Sequence, residues 1–223
     1  MKHNEIITAI KELNFEKVKY LIQNGANINA TDLSGVTALM HAASIGGEQG
    51  CDFVSFLLNS GADVFAKDKQ GRTAYDYIKE PPEPPEEHEN AYEAWIYCAE
   101  HQTMKNIGYH IEKLALDAIN TGDYKNLEKY LSKGMNPEIM DYKMRTLLML
   151  AVNAEKNSYE LTKTLLEYGA NVLAEDYEGK TVLQHIQVRR EPNSENITAY
   201  NKWCNSNQVR IKNLILNKIK EIK

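Results

Sequence analysis

Cysteine is scarce: Cys51, Cys98 and Cys204 lie 47 and 106 residues apart, which excludes the close pairing that zinc ligands or a redox C-x-x-C need. So scattered and odd a set points to a reducing compartment. Long hydrophobic runs are missing too. The first twenty residues alternate charge with apolar positions, and no later stretch approaches the roughly 20 apolar residues of a membrane span. Neither a cleaved signal nor stable membrane insertion is expected. Basic side chains are in deficit, 26 Lys and Arg against 31 Asp and Glu, for a formal charge of −5; a general nucleic-acid binder carries the opposite balance. His3, His41, His88, His101, His110 and His185 are dispersed, none with a second His or Cys at metal spacing. No G-x-S-x-G, H-E-x-x-H, Walker loop or G-x-G-x-x-G occurs, so no catalytic residue, cofactor or metal site is expected.

What the chain does contain is 43% hydrophobic residues over 223 positions, enough for a sizeable core. Charge is uneven along it: residues 1–107 hold 9 basic against 16 acidic side chains, leaving the remainder slightly positive. The most informative stretch is NGANINATDLSGVTALMHAA, residues 24–43. Gly25 can end a helix in the left-handed cap conformation. Asp32 and Gly35 open and close a turn, since an Asp side chain bonds the backbone ahead of it. Thr37 can cap the orphan amides of a new helix, and Ala42 and Ala43 are small enough to let another helix lie close. These residues resemble the turn and inner helix of an ankyrin repeat, D-x-x-G-x-T-x-L-x-x-A-A. The resemblance implies an all-α solenoid of about six stacked helix pairs with short projecting β-turn fingers.

The chain divides into two blocks on this pattern. Residues 1–107 hold a cap-like unit (3–31), a clear repeat (32–67) and a degenerate unit (68–107), in which Tyr77 and Ile78 replace the expected alanines and a PPEPPEEHE loop intervenes. A helix is expected over 90–104, and a new pair from Tyr109. Residues 108–223 repeat the plan as 108–140, 141–175 and 176–223, the last with a C-terminal capping helix. Gly25 and Gly134, Asp32 and Asp141, and Thr37 and Thr146 are each 109 apart; Gly61 and Gly169, Asp68 and Asp176, and Gly71 and Gly179 are each 108 apart. One residue has dropped out before the second outer helix. The offset of 108 also relates Ala91–Trp95 to Ala199–Trp203, so we read a tandem duplication of a three-unit block. Met144 departs from the pattern, standing where the other turns have glycine.

In such repeats the turn tips and the inner-helix face carry no structural duty and bind partners, so the resemblance marks two sets of candidates. Leu33, Lys69, Arg72, Tyr142, Met144 and Tyr177 are large side chains on the tips that the turn chemistry does not require. Met40, Tyr75, Asp76, Met149 and Gln184 are the inner-face candidates. His41 and His185 read as packing or turn-bonding residues. The segment Pro81–Pro85 can dock an aromatic groove, but its acidic neighbours favour a solvated loop. Trp95 and Trp203 are either exposed anchors or, as their duplication favours, packing residues. The amphipathic helix over 209–223 suits either an anionic membrane or, as favoured here, the closing of a stack.

The functional expectation is a non-enzymatic protein-protein interaction module that binds another protein through fingers and concave face. It is expected to be a cytoplasmic monomer, or to be delivered into a host cell. The Asn, Lys and Ile richness and the compact, divergent repeats resemble bacterial or viral members of the family, among which an effector and a toxin-neutralising immunity protein stand open. A structural scaffold or homo-oligomer is the alternative class. An enzyme would require a pocket built by the proline-loop units.

Overall fold

The computed structural model describes residues 5–79, 98–187, 202 and 205–222. The proline run, Pro192, both tryptophans, Cys204, His3 and His88 lie outside these residues. Everything described is helix and turn. The extended pairings among the described residues are the isolated bridges Thr31–Thr37, Met140–Thr146 and Glu175–Thr181, and no described helix is long and apolar enough to cross a membrane. The chain forms two compact units, Met1–Ile111 and Glu112–Lys223.

In the first unit, α1 (Glu5–Lys11) buries Ile6, Ile7, Ala9 and Ile10. Asn14 then caps α2 (Phe15–Gln23), its Oδ1 accepting from the Lys17 amide at 3.0 Å. Gly25 ends α2 at φ +78°, with Gly25 and Ala26 amides bonding back to Ile22 and Leu21 carbonyls; a left-handed residue at this place closes the last turn. The inner helix α3 (Ala38–Ile45) is nearly all core, because Ala38, Leu39, Met40, Ala42 and Ala43 are buried. It packs against α1 and against α4 (Gly47–Asn59), which contributes Phe53, Val54, Leu57 and Leu58. Phe15 tilts onto Phe53 and Phe56 with ring centroids 5.2 Å away in each case. Among the described residues 68–79 of the degenerate third unit, one 3-10 turn, Tyr75–Tyr77, packs against α3.

Helix α5 (Ala99–Thr121) corrects the sequence reading, which separated a helix ending near 104 from one starting at 109. Gly108 sits inside one continuous helix. A helical glycine costs about 1 kcal/mol relative to alanine, and without a cap or proline beside it that cost does not stop the helix. Near its start, Glu100 accepts from the Gly47 amide at 2.9 Å, a carboxylate placed on the positive end of α4.

The second unit follows the same plan. Asp123 caps α6 (Tyr124–Ser132), and Thr146 caps α7 (Leu147–Ala151) by accepting from Met149 N. After these come α8 (Ser158–Glu167), the one-turn α9 (Val182–His185) and α10 (Asn207–Ile222). Helix α8 packs against α6, α7 and α10, and α10 turns Val209, Ile211 and Ile215 inward. Gln208, 108 positions after Glu100, donates to the Val152 carbonyl at the end of α7. Exchanging a carboxylate for an amide thus converts a helix-start partner into a helix-end partner.

Successive repeats are tied by backbone bonds that the duplication preserves. Lys69 N donates to Ser34 O in the first unit and Tyr177 N to Lys143 O in the second, both at 3.1 Å. Asp63 N donates to the Asn29 side chain at 2.8 Å, and Asn171 N to the Glu138 side chain at 2.7 Å. The tightest approach is at Gly122, φ +74°, whose carbonyl accepts from Asn157 Nδ2; a Cβ there would stand 2.6 Å from Lys156 Cβ and 2.8 Å from its carbonyl oxygen. Gly122→Ala should therefore lower the unfolding free energy by about 2 kcal/mol or more in urea denaturation, whereas Gly108→Ala, with nothing near its Cβ, should leave stability unchanged or raised.

Candidate functional site: the finger turns

Four fingers project from the described residues, beginning at Asp32, Asp68, Asp141 and Asp176. In each, the Asp Oδ1 accepts two amides, those two and four residues ahead: Ser34 and Val36, Gln70 and Arg72, Lys143 and Arg145, Glu178 and Lys180, all within 2.8–3.1 Å. The Asp main chain closes the turn from both sides, its N–H donating to the carbonyl four residues on and its C=O accepting the amide three residues on. That third residue must take positive φ, as Gly35, Gly71 and Gly179 do.

Met144 does so as well, at φ +58°. The finger lacking glycine therefore has the same geometry as the others, with the Met144 amide 2.9 Å from the Asp141 carbonyl. A side chain in the left-handed region costs about 1–2 kcal/mol, so the fold carries strain at this tip while the Met144 side chain stays half exposed.

The second carboxylate oxygen of each Asp is also filled. Asp32 Oδ2 meets His41 Nε2 at 3.0 Å, and Asp176 Oδ2 meets His185 Nε2 at 2.8 Å. Asp68 Oδ2 accepts from Tyr77 OH at 2.7 Å and Arg72 Nε at 2.9 Å. At the Asp141 finger Leu150 stands where those inner helices carry His or Tyr, and Arg145 replaces them with Nε and Nη2 at 2.9 and 2.7 Å. Either the side chain nine residues on or the arginine four residues on thus locks the finger.

Burial is the largest single influence on Asp32, Asp68 and Asp141 and pushes their carboxyls up. The donors together outweigh it (His41 for Asp32, Tyr77 and Arg72 for Asp68, Arg145 for Asp141, each with backbone amides), holding all three below the usual carboxylate range. At Asp176 the Lys180 amide leads, burial opposes it and His185 assists; this group too is lowered. Carboxylates so saturated are poor proton acceptors, and their chemistry here is structural.

The tip residue after each Asp is left free of this bonding. Leu33, Tyr142 and Tyr177 are 92%, 88% and 81% exposed, ahead of every other large hydrophobic side chain among the described residues, Tyr109 following at 69%. Lys69 holds the same place in the second finger. Lys143 Nζ lies 5.5 Å from the Tyr142 ring centroid, a cation–π contact at the tip.

Other candidates sit differently. Arg72, expected to be free of turn chemistry, is bound to Asp68, Gln70 and Tyr77 and lies 4.6 Å over the Tyr77 ring. Met40 and Met149 are buried and not exposed tips of the inner face, Met149 lining a cleft there; the Met40 sulfur accepts from the Thr37 amide at the helix start. Asp76 and Gln184 serve the same purpose, accepting from Thr73 N and Thr181 N at 2.6 and 2.7 Å. Tyr75 is half exposed. The reading missed Lys143, whose signal was its place beside a tip tyrosine, and the strain at Met144.

Groups with lowered carboxyl values add stability above about pH 4, their unfolded range, and lose it as pH falls toward their folded values. The urea midpoint should hold near neutrality and drop as pH falls below about 4. Asp68→Asn should be less stable at neutral pH and show a shallower acid decline.

Comparison with known families agrees with this geometry. Residues 6–78 match the family model "Ankyrin repeats (3 copies)" and residues 144–177 match "Ankyrin repeat". Similar relatives include the tyrosine-protein kinase HTK16 of Hydra vulgaris, 44% identical over 73 residues, 31% of this chain and 9% of that protein. Another is an "Ankyrin repeat and LEM domain-containing protein 1 homolog" of Caenorhabditis elegans, 38% identical over 64 residues, 29% of this chain and 9% of that protein. The chain thus spans about a tenth of the length of these relatives. Ankyrin repeats are in general protein–protein interaction modules and in general not enzymes. With D-x-x-G fingers, threonine-capped inner helices and glycine-ended helix pairs in both of its units, this chain belongs to the ankyrin-repeat proteins.

Proposed function

We propose that the chain binds another protein through its fingertips, with Leu33 and Lys69 contributing from the first unit and Tyr142, Met144 and Tyr177 from the second. One observation carries this: the most exposed large hydrophobic side chains among the described residues recur at one register, the position after the finger Asp. Exposed aromatic side chains on a rigid mount are what interface hot spots are made of, and the Asp bonds hold the backbone beneath them in one conformation, which lowers the entropy lost on binding. Strain at Met144 has the same sense, because strain kept at an exposed tip marks a position held for something other than stability.

The same reading takes the chain as a cytoplasmic monomer without cofactor or nucleic-acid ligand. A bacterial effector acting on a host protein and a toxin-neutralising immunity protein are the two roles it leaves, and the acidic residues 1–107 suit a basic partner. The identity of the captured protein separates the two.

Quantitative affinity capture with the full chain should yield a specific protein. Tyr142→Ala combined with Tyr177→Ala should reduce its recovery at least tenfold, the loss expected from removing hot-spot side chains; Leu33→Ala should reduce it less. Undiminished recovery by the double variant sinks the proposal. Met144→Gly should raise stability by about 1 kcal/mol while weakening capture.

A further inference from the structure

The second unit contains a cleft of about 440 Å³ that belongs to none of the fingertips. Its origin is legible in the duplication. Helix α3 runs eight residues, to Ile45, whereas its counterpart α7 stops after five, at Ala151, and one residue is missing before α8. The chain turns away early, and the space is lined from α5, the finger residue Arg145, α7, the 153–155 turn and His185 of α9.

The chemistry of the lining is specific. Ile119, Met149 and Leu150 form an apolar floor, the first two buried. Arg145 stands at one side with Nε and Nη2 committed to Asp141. Its charge is thereby neutralised, yet Nη1 keeps its donors unbonded among the described residues. Glu155 on the rim is exposed and makes no ion pair or hydrogen bond among the described residues. Asn120, also exposed and lining the cleft, offers both an amide donor and an acceptor. His185, also in the lining, has Nε2 committed to Asp176, and Asn153 donates to the His185 carbonyl. Glu155 is therefore the one charged lining group without a partner among the described residues, and the other polar groups suit an uncharged amide.

We propose that this cleft takes a lysine or arginine residue of an extended peptide segment. The aliphatic stem lies along Ile119, Met149 and Leu150, as long basic side chains do on apolar surface. The cationic head pairs with the Glu155 carboxylate. The peptide carbonyl accepts from Arg145 Nη1, and Asn120 bonds the neighbouring backbone. The volume lies in the range, roughly 300–1,000 Å³, of pockets that hold small ligands. A free acid or phosphate is disfavoured, since Glu155 would repel it and Arg145 is already paired. This site shares Arg145 with the base of the Asp141 finger but none of the exposed tip side chains.

The test is an NMR titration of the isotope-labelled full chain with acetylated, amidated alanine-based peptides. One peptide carries a single central lysine, and the controls replace it by norleucine or glutamate. The lysine peptide should shift the Asn120 side-chain amide and the backbone amides of Ala154 and Glu155, saturating at millimolar concentrations typical of a single anchored residue. Norleucine, with the stem but no charge, should bind at least several-fold more weakly, and glutamate should produce no shifts. Glu155→Gln, a surface change that spares the fold, should weaken the lysine peptide several-fold. Tyr142→Ala with Tyr177→Ala should leave the titration unchanged, so that loss of fingertip capture and failure of this site are separately visible. Absence of cleft shifts, equal binding of norleucine, preferential binding of glutamate, or indifference to Glu155→Gln would each overturn the proposal.

Discussion

A single aspartate at the head of each finger is the constraint on which the rest of the structure depends. Its first oxygen collects two backbone amides that the turn would otherwise leave without partners, and its second reaches a side chain on the next inner helix or an arginine in the turn. Two consequences follow. The turn is held in one conformation, because any other gives up these hydrogen bonds, each worth about 0.5–1.5 kcal/mol. The turn is also fixed to the helix it precedes, where a threonine caps the first amides. Fixed turns then bond one another through the backbone, Ser34 with Lys69 and Lys143 with Tyr177.

Because the backbone is held by this one residue, its donors and the bonds between turns, the tip side chains are released from structural duty. Leu33, Lys69, Tyr142 and Tyr177 differ in character while the turns beneath them are alike. The duplication has kept the scaffold and varied what it presents. The first unit offers an apolar and a cationic tip, whereas the second offers two tyrosines, a strained methionine and a lysine folded over one of the rings. The inner helices diverged similarly: where His41 serves Asp32, Leu150 cannot serve Asp141, and an arginine in place of Val36 performs that task and brings a guanidinium to the cleft edge.

Most of this framework was legible in residues whose chemistry is local. Asp32, Gly35, Thr37 and Gly25 each act on backbone within four positions, so spacing alone locates finger, cap and helix end. Repetition at 108–109 residues then located their partners in the second half. What escaped was decided by tertiary context. Met144 keeps the glycine geometry because its neighbours over-determine it, which no propensity reveals. A gap was expected between Met104 and Tyr109, but the glycine that lies in it interrupts a helix only where something else competes for its backbone. Met40 and Met149 were placed on the inner face by family position and are core, since a flexible thioether fills space behind a short helix. Arg72 was taken as free because its partners, Asp68 and Tyr77, converge only in the fold. The cleft had a signal, the lost residue before α8, but its size depends on where α7 ends.

The measurement that tests this account most directly is amide hydrogen exchange at the finger positions bound to the Asp side chains. The amides of Val36, Arg72, Arg145 and Lys180 should exchange far more slowly than an unstructured chain, although they belong to projecting turns, and replacing the aspartate of a finger by alanine should abolish protection in that finger. Exchange of these four amides at random-coil rates in the intact protein, or protection that survives loss of the aspartate, would contradict it.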